Sequence, residues 1–220
     1  MHISIERPEE IIPRLGKHEL HWKKGRSAYE LSTAWVKANG FPPAVETVLK
    51  KAPDWENAKF LEGFFERETE LGTAGRPSQT DLLVLASLPE CNGVIGVEGK
   101  VDEPFGPPIS DWLKDDQHGG RRKRLSALCA TLGIKDDSIG HLYYQLFHRT
   151  CAAIYEAHRF RYQKAIMLVH SFDPQSKWFD AFADFAQHAG MEVAAPNEIS
   201  RAKFCAGIET RLAWVSDKPI

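Results

Sequence analysis

Two neighbouring apolar stretches decide the fold: Asp81-Leu-Leu-Val-Leu-Ala-Ser87 and Gly93-Val-Ile-Gly-Val-Glu-Gly-Lys-Val101. Both are rich in residues that favour β-strands, and only the short segment from Leu88 to Asn92 separates them. This arrangement predicts a β-hairpin. Because each strand is apolar on both of its faces, we expect the hairpin to lie in the centre of a sheet, with other elements covering both sides.

Helices and further strands are predicted on either side of the hairpin. Ser27 and Glu30 have the spacing of a capping box and predict the start of a first helix, and Pro42 and Pro43 precede a second. The other expected elements are an extended segment over residues 61–71, helices over 110–116, 121–132, 141–159 and 177–189, and strands over 164–172 and 208–215. This order predicts an α/β (mixed α+β) fold: a central mixed sheet flanked by helices, with one helix crossing over the sheet between strands.

The composition is that of a globular protein. The chain has 220 residues, of which 43% are hydrophobic and 26% charged. We expect a single domain over residues 1–220, with an N-terminal helical part over about 1–59, a core over about 60–172 and a C-terminal helix and strand extension over 173–220. No apolar run approaches the roughly 18 residues of a membrane span, and no secretory signal is visible at the start, so no membrane association is expected.

The cysteines and the net charge restrict the compartment and the partners. The four cysteines are scattered without a C-x-x-C pair, which favours reduced thiols and a cytoplasmic location. The net charge is −2, so any nucleic-acid surface has to be local. Arg121-Arg-Lys-Arg124 is the densest basic run, and its alternative interpretation is a solvated helix start. Nothing in the sequence specifies an oligomer, although a homodimer is compatible with it.

Three charged residues in the predicted hairpin are the candidate catalytic residues. Glu98 and Lys100 are two residues apart on one strand and therefore project from the same face. Asp81 begins the partner strand. In an antiparallel hairpin the numbers of two paired residues add to a constant, and any odd constant places Asp81 on the same face as Glu98 and Lys100. A constant of 181 pairs Asp81 with Lys100, and a constant of 179 pairs it with Glu98. Charges buried on a sheet face require a metal ion, each other or a ligand. The alternative is an ordinary Glu–Lys pair at the surface end of a strand.

Two carboxylates that converge in this way suit Mg²⁺ or Mn²⁺, which prefer oxygen ligands. Such an ion polarises a phosphoryl oxygen and lowers the pKa of a bound water, and a neighbouring ammonium stabilises the charge that develops on a phosphate. The residues therefore favour a divalent metal held by Asp81 and Glu98, with Lys100 placed to orient the bound water or to stabilise charge on a phosphate.

The same residues carry a family resemblance. An Asp at a strand start, a hairpin and then Glu98-Gly-Lys100 resemble the PD-(D/E)xK nuclease superfamily, whose fold is the restriction-endonuclease-like core. Three stretches resemble more closely an uncharacterised bacterial family assigned to that superfamily: Gly75-Arg-Pro-Ser-Gln-Thr-Asp81, Val97-Glu-Gly-Lys-Val-Asp-Glu-Pro-Phe-Gly106 and Tyr144-Gln-Leu-Phe-His-Arg149. The resemblance implies a core of three strands, a helix and a fourth strand. It also implies a metal-dependent phosphodiesterase with Asp81 and Glu98 as metal ligands, Lys100 as the catalytic lysine, and DNA or RNA as partner.

Supporting residues are predicted on the long helix. Gln145, His148 and Arg149 share one stripe of that helix and are expected to lean over the sheet, with Arg149 on a phosphate and His148 relaying a proton or holding a water. The alternative is that they tie the helix to neighbouring backbone. Members of the superfamily often take a further acid from the region before the first core strand; Glu46 and Glu66 are candidates, and the sequence does not choose between them.

Other chemistries remain open or are disfavoured. A non-catalytic binding or assembly module on the same fold is the main alternative, favoured by the acidic balance and by Thr80, which stands where the superfamily pattern has proline. A hydrolase that uses paired carboxylates on another substrate would need a sugar-sized groove between them. His18 and His21 lack the H-E-x-x-H spacing, so no zinc site is expected there.

Overall fold

A mixed β-sheet runs through the centre of the protein. The computed structural model describes residues 5–15, 22–135 and 138–220, and His18 and His21 lie outside them. In the described residues the sheet has seven strands: β1 Lys59–Thr69, β2 Ser78–Ser87, β3 Asn92–Lys100, β4 Lys164–Ser171, β5 Glu198–Ile199, β6 Lys203–Cys205 and β7 Ile208–Ser216. The strand order is β1-β2-β3-β4-β7-β5, and β6 also pairs with β7. Strands β1 to β3 form an antiparallel meander, whereas β3, β4 and β7 are parallel.

Helices cover both faces of the sheet. Their bounds are α1 Ser27–Ala38, α2 Pro43–Leu49, α3 Ile109–Trp112, α4 Gly120–Leu132, α5 Tyr144–Phe160 and α6 Phe179–His188, and two 3-10 helices span Pro8–Arg14 and Ile139–His141. Helices α1 and α2 pack on one face, and α4, α5 and α6 pack on the other. Side chains of β4 alternate between these two cores, as the period of a strand requires: Met167 belongs to one and Ile166 to the other. The predicted α/β class with a central mixed sheet flanked by helices is confirmed.

Helix α5 is the crossover that makes β3 and β4 parallel neighbours. Glycines on β3 allow helices to approach the strand closely. An ideal Cβ on Gly96 would lie 3.3 Å from the Cβ of Ala153 on α5, and one on Gly99 would lie 3.3 Å from the Cβ of Leu31 on α1. The carboxyl end of β3 is therefore held between α1 on one face and α5 on the other.

Two local expectations are corrected by the structure. The predicted capping box does not form, because Ser27 is already helical and Arg26 occupies the cap position. The Glu30 carboxylate accepts hydrogen bonds from the backbone N–H groups of Gly25 and Ile220 instead, each at 2.7 Å. The long helix begins at Tyr144 and not at residue 141, because Ile139–His141 forms a separate 3-10 turn.

No helix among the described residues combines the length and the apolar character that a membrane span requires.

Candidate functional site

Three carboxylates lie side by side across β1, β2 and β3. In the hairpin of β2 and β3, Leu82 pairs with Val97, so the numbers of paired residues add to 179. This register places Asp81 opposite Glu98. On the other side of β2, the pairs Phe65–Leu82 and Arg67–Thr80 place Glu66 opposite Asp81. We call Glu66, Asp81 and Glu98 the acidic row. Carboxylates on adjacent strands at this spacing repel one another unless cations or protons lie between them.

Glu98 is the most heavily bonded member of the acidic row. Its Oε1 accepts hydrogen bonds from Lys100 Nζ at 2.7 Å and from Gln145 Nε2 at 2.8 Å, and its Oε2 accepts one from Arg149 Nε at 2.5 Å. Glu98 and Lys100 are both buried, at 2% and 4% exposure. Burial acts to raise the pKa of Glu98, but the charges of Arg149 and Lys100 lower it to about 2. Glu98 is therefore ionised throughout the physiological range.

Asp81 is held differently. Its Oδ2 accepts a hydrogen bond from the backbone N–H of Gly99 at 2.9 Å, and its Oδ1 lies 3.5 Å from Arg149 Nη2. Burial and the neighbouring charge of Glu98 raise the pKa of Asp81 to about 7, against the opposing effect of Arg149. Arg149, whose own pKa is raised by Glu98 and Asp81 against the effect of burial, thus bridges two members of the row.

Glu66 is the third carboxylate of the acidic row. Its Oε2 accepts a hydrogen bond from Gln79 Nε2 at 2.9 Å, and its backbone has a φ of 55°, which is unusual for a residue with a side chain. Burial and the charge of Asp81 raise the pKa of Glu66 to about 8. Burial and the repulsion between the carboxylates thus outweigh the effect of the nearby cations, and Asp81 and Glu66 hold their protons more tightly than ordinary carboxyl groups do.

A cavity of about 860 Å³ opens over the acidic row. Lys100, Gln145 and Arg149 line it together with the row, and the other walls come from the N-terminal elements and the segment after β3, including Ile11, Arg26, Phe65, Glu103 and Pro104. The Lys100 ammonium also lies 5.1 Å from the centre of the Phe105 ring. Gln145 Oε1 is buried and has no hydrogen-bond partner among the described residues. The cavity therefore presents carboxylates, the cationic side chains of Arg26, Lys100 and Arg149, and one unused acceptor to a ligand.

His148 lies apart from Gln145 and Arg149. Its Nδ1 is 2.8 Å from Ser78 Oγ, and its ring lines a second cavity of about 650 Å³ beside Tyr144 and Trp112. Burial, together with the positive charge of Arg149, lowers the pKa of His148 to about 3, so the imidazole is neutral at pH 7. The structure brings five of the six predicted site residues into one cavity and places the sixth in the next one.

The basic run Arg121–Arg124 borders the second cavity and is not a simple solvated helix start. Arg124 is buried and donates to Tyr144 Oη at 2.7 Å and to the carbonyl of Arg76 at 2.8 Å. The guanidinium of Arg121 lies 5.7 Å from the centre of the Trp112 ring. Part of this charge therefore fixes the loop before β2 that leads to Asp81.

Glu66 is the site residue that the sequence did not select. The rival candidate, Glu46, lies exposed on α2 and pairs with Lys50 at 4.0 Å. The signal that distinguishes them is the register of β1, which is shifted by an irregularity between Phe60 and Glu62. The residue types of β1 do not predict that irregularity.

Comparison with known proteins identifies a family but no activity. No curated protein and no solved structure matches the chain. A family model described as a domain of unknown function, DUF6946, matches residues 4–219, which is nearly the whole sequence. The expectation that the chain belongs to an uncharacterised family is thereby confirmed. The chain belongs to the DUF6946 family.

Proposed function

We propose that the protein is a Mg²⁺- or Mn²⁺-dependent nuclease that hydrolyses phosphodiester bonds in DNA or RNA. The observation that carries this proposal is the acidic row with Lys100 beside it in an open cavity. The order of an antiparallel meander, a crossover helix and a parallel fourth strand supports a relationship to the PD-(D/E)xK nuclease superfamily. Asp81 and Glu98 are the proposed metal ligands, and Lys100 is the proposed catalytic lysine.

The residues present fit a hard divalent cation. Three carboxylates converge on one cavity, where burial and the repulsion between neighbouring carboxylates raise the pKa values of Asp81 and Glu66 to about 7 and about 8. A divalent ion would replace the protons that these groups otherwise keep. Oxygen ligands are those that Mg²⁺ and Mn²⁺ prefer, and Glu66 would add a third. When bound, such an ion polarises a phosphoryl oxygen and lowers the pKa of a coordinated water.

The other side chains of the site would orient the water, stabilise charge on the phosphate and position the metal ligands. The Lys100 ammonium, 2.7 Å from Glu98 Oε1, is placed to orient a water or to stabilise negative charge on the phosphate. Arg149 contacts both Glu98 and Asp81 and therefore acts as a positioning residue for the two carboxylates. Gln145 holds Glu98 through its Nε2, and its unused Oε1 can accept a hydrogen bond from a bound water and so orient it. His148, which is neutral and lines the neighbouring cavity, is left with an orienting role toward Ser78, whose hydroxyl also lies 3.4 Å from Arg149 Nη1.

Metal titration with matched variants tests the proposal. We expect calorimetry to detect Mg²⁺ and Mn²⁺ binding to the unmodified chain and its loss in Asp81→Asn and Glu98→Gln. Glu209→Gln is the matched control, because that carboxylate also pairs with a lysine in the sheet, Lys164, but lies outside the acidic row. The same samples are incubated with duplex DNA, single-stranded DNA and RNA. Metal-dependent cleavage that disappears in Lys100→Met would support the nuclease; unchanged metal affinity in both acidic variants would remove its physical basis.

A non-catalytic binding module is the second candidate, and one observation favours it. Both oxygens of Glu98 already accept hydrogen bonds from Lys100, Gln145 and Arg149, so the carboxylate is satisfied without a metal. A folded protein that binds neither metal would favour this module. The paired-carboxylate hydrolase finds less support, because Asp81 and Glu98 lie on adjacent strands and both approach Arg149, so they do not face each other across a groove.

A further inference from the structure

A second group of metal-ligating side chains lies where the 3-10 helix Ile139–His141 meets α6. His141 Nε2 is 3.0 Å from Asp184 Oδ2, and His188 Nδ1 is 3.2 Å from Asp184 Oδ1. One potential ligand atom from each of the three residues lies within 4.8 Å of the other two. None of these residues belongs to the acidic row or lines its cavity.

The scaffold holds the three side chains in place. Asp184 and His188 are four residues apart on α6 and therefore share one face of that helix. The opposite face is anchored in the core by Phe182 and Phe185, both fully buried. His141 reaches the pair from a separate element, and its ring centre lies 5.4 Å from that of His188. The ligands therefore come from two elements whose relative position is set by the core.

Solvent reaches the group. The side chains of His141 and Asp184 are 54% and 40% exposed, and that of His188 is 18% exposed. The Asp184 carboxylate can accept a hydrogen bond from a protonated nitrogen of His141. His188 Nδ1 lies 2.9 Å from the backbone carbonyl oxygen of Asp184 and 3.2 Å from its carboxylate, and when protonated it can donate to either. A metal ion can take the place of those protons, because coordination requires the imidazole nitrogen to be free of its proton.

We propose that His141, Asp184 and His188 form a binding site for a transition-metal dication of the Zn²⁺ class, with water completing the coordination. Two imidazoles and one carboxylate are ligands that Zn²⁺ takes readily in four-coordinate sites, whereas Mg²⁺ prefers oxygen alone. This site thus differs in metal preference from the acidic row. An ion bound here would link the 3-10 helix that precedes α5 to α6.

Zinc titration tests the proposal, with ZnCl₂ as the only added ligand. The Asp81→Asn background removes competition from the acidic row. In that background we expect Zn²⁺ to bind at one site, and His141→Ala to weaken its affinity at least about tenfold, since even the outer partners of metal ligands typically contribute that much. His118→Ala is the matched control, because His118 is also an exposed histidine but lies outside the group. Equal affinity in the His141→Ala and His118→Ala proteins would overturn the site.

A second readout needs no substitution in the cluster. Long-range ¹H–¹⁵N spectra of the histidine rings should show the signals of His141 and His188 shifting on addition of Zn²⁺ and not on addition of Mg²⁺. Thermal unfolding should also move to higher temperature with excess Zn²⁺, because an ion that binds only the folded state stabilises it. Zinc-induced shifts confined to other histidines would contradict the assignment. The outcome is independent of any nuclease assay.

Discussion

Two charged clusters lie at opposite ends of the parallel pair β3 and β4. The acidic row sits at the carboxyl end of β3. At the other end, Lys164 Nζ on β4 lies 2.9 Å from Asp54 Oδ2 and 3.0 Å from Glu209 Oε1, and Arg211 Nη2 lies 2.6 Å from Asp54 Oδ1. We call Asp54, Lys164, Glu209 and Arg211 the balanced cluster, since it has two acids and two bases.

The two clusters differ in how their carboxylates titrate. In the balanced cluster, burial acts to raise the pKa of Asp54, but the contacts with Lys164 and Arg211 leave it below its usual value. In the acidic row, the pKa of Asp81 is raised to about 7 and that of Glu66 to about 8. Equal numbers of positive and negative charges suit a cluster whose role is to hold elements of the fold together. An excess of carboxylates costs stability, and it is expected where a ligand supplies the missing positive charge.

The largest expected difference between the clusters concerns catalysis. Lys100→Met should reduce metal-dependent cleavage by at least about 100-fold, because it removes a charge that stabilises the phosphate in the transition state. Lys164→Met removes the corresponding ammonium from the balanced cluster and should change cleavage less than about threefold. Initial rates at saturating metal measure both. A similar loss in the two variants would mean that general stability, and not position at the acidic row, sets the rate.

Metal affinity should depend on pH only through the acidic row. Because Asp81 and Glu66 hold protons below about pH 7 and about pH 8, Mg²⁺ has to displace them in acid. Affinity should therefore rise about tenfold or more between roughly pH 6 and pH 8.5. Calorimetry at both pH values measures the change, and Glu66→Gln should reduce it. A pH-independent affinity in the unmodified chain would show that these carboxyl groups do not bind the ion.

Asparagine substitutions should affect stability unequally at the two clusters. Asp54→Asn removes the negative charge and one of the two acceptor oxygens that Lys164 and Arg211 share, and it should cost about 2 kcal/mol in free energy of unfolding. Asp81→Asn relieves repulsion within the acidic row and should cost less, or even stabilise the metal-free protein at pH 8. Urea denaturation in the presence of a chelator makes the comparison. If Asp81→Asn costs as much as Asp54→Asn, the row is a structural tie like its counterpart.

The smallest expected effect is the pH dependence of stability without metal. The folded pKa of Asp81, about 7, lies above its ordinary value of 3.8, so the folded state holds the proton more tightly than the unfolded chain does. The free energy of unfolding should then fall, on the order of 1 kcal/mol, as pH rises from about 4 to about 7; this is less than the roughly 4 kcal/mol of the full shift, because the side chain is 24% exposed and water screens its charge. Denaturation of Asp81→Asn should show a shallower fall. Asp54 has the opposite sign, because its lowered pKa contributes stability above its unfolded pKa that is lost in acid.

The sequence predicted the sheet and most of the candidate site for physical reasons. The runs that became β2 and β3 are buried on both faces, which an apolar stretch can indicate alone. The common face of Asp81, Glu98 and Lys100 followed from the alternation of side chains along a strand. Whether Asp81 pairs with Glu98 or with Lys100 depended on the geometry of the turn, which the sequence did not define. Glu66 could not be chosen, since a register irregularity in β1 and its own positive φ decide where it lies.

The position of His148 shows a limit of helical periodicity. Successive residues of a helix are rotated by about 100°, so His148 and Arg149 occupy opposite margins of a stripe centred near Gln145. Small differences in how α5 is rotated against the sheet decide which margin faces Glu98. In the structure that margin carries Arg149, and His148 turns toward Ser78. Only the packing of α5, and not the spacing of polar residues, separates the two.

The topology also sets an order of assembly. The acidic row is built entirely from β1, β2 and β3, which are contiguous in the chain and pair locally, whereas Arg149 arrives with α5 later in the sequence. If the meander pairs before α5 is in place, its three carboxylates meet with Lys100 but without Arg149. We expect the early meander to be marginal at neutral pH and to become secure only when α5 docks and β4 pairs with β3. The charge excess that suits the site to a cation would thus make completion of the crossover the decisive step in folding.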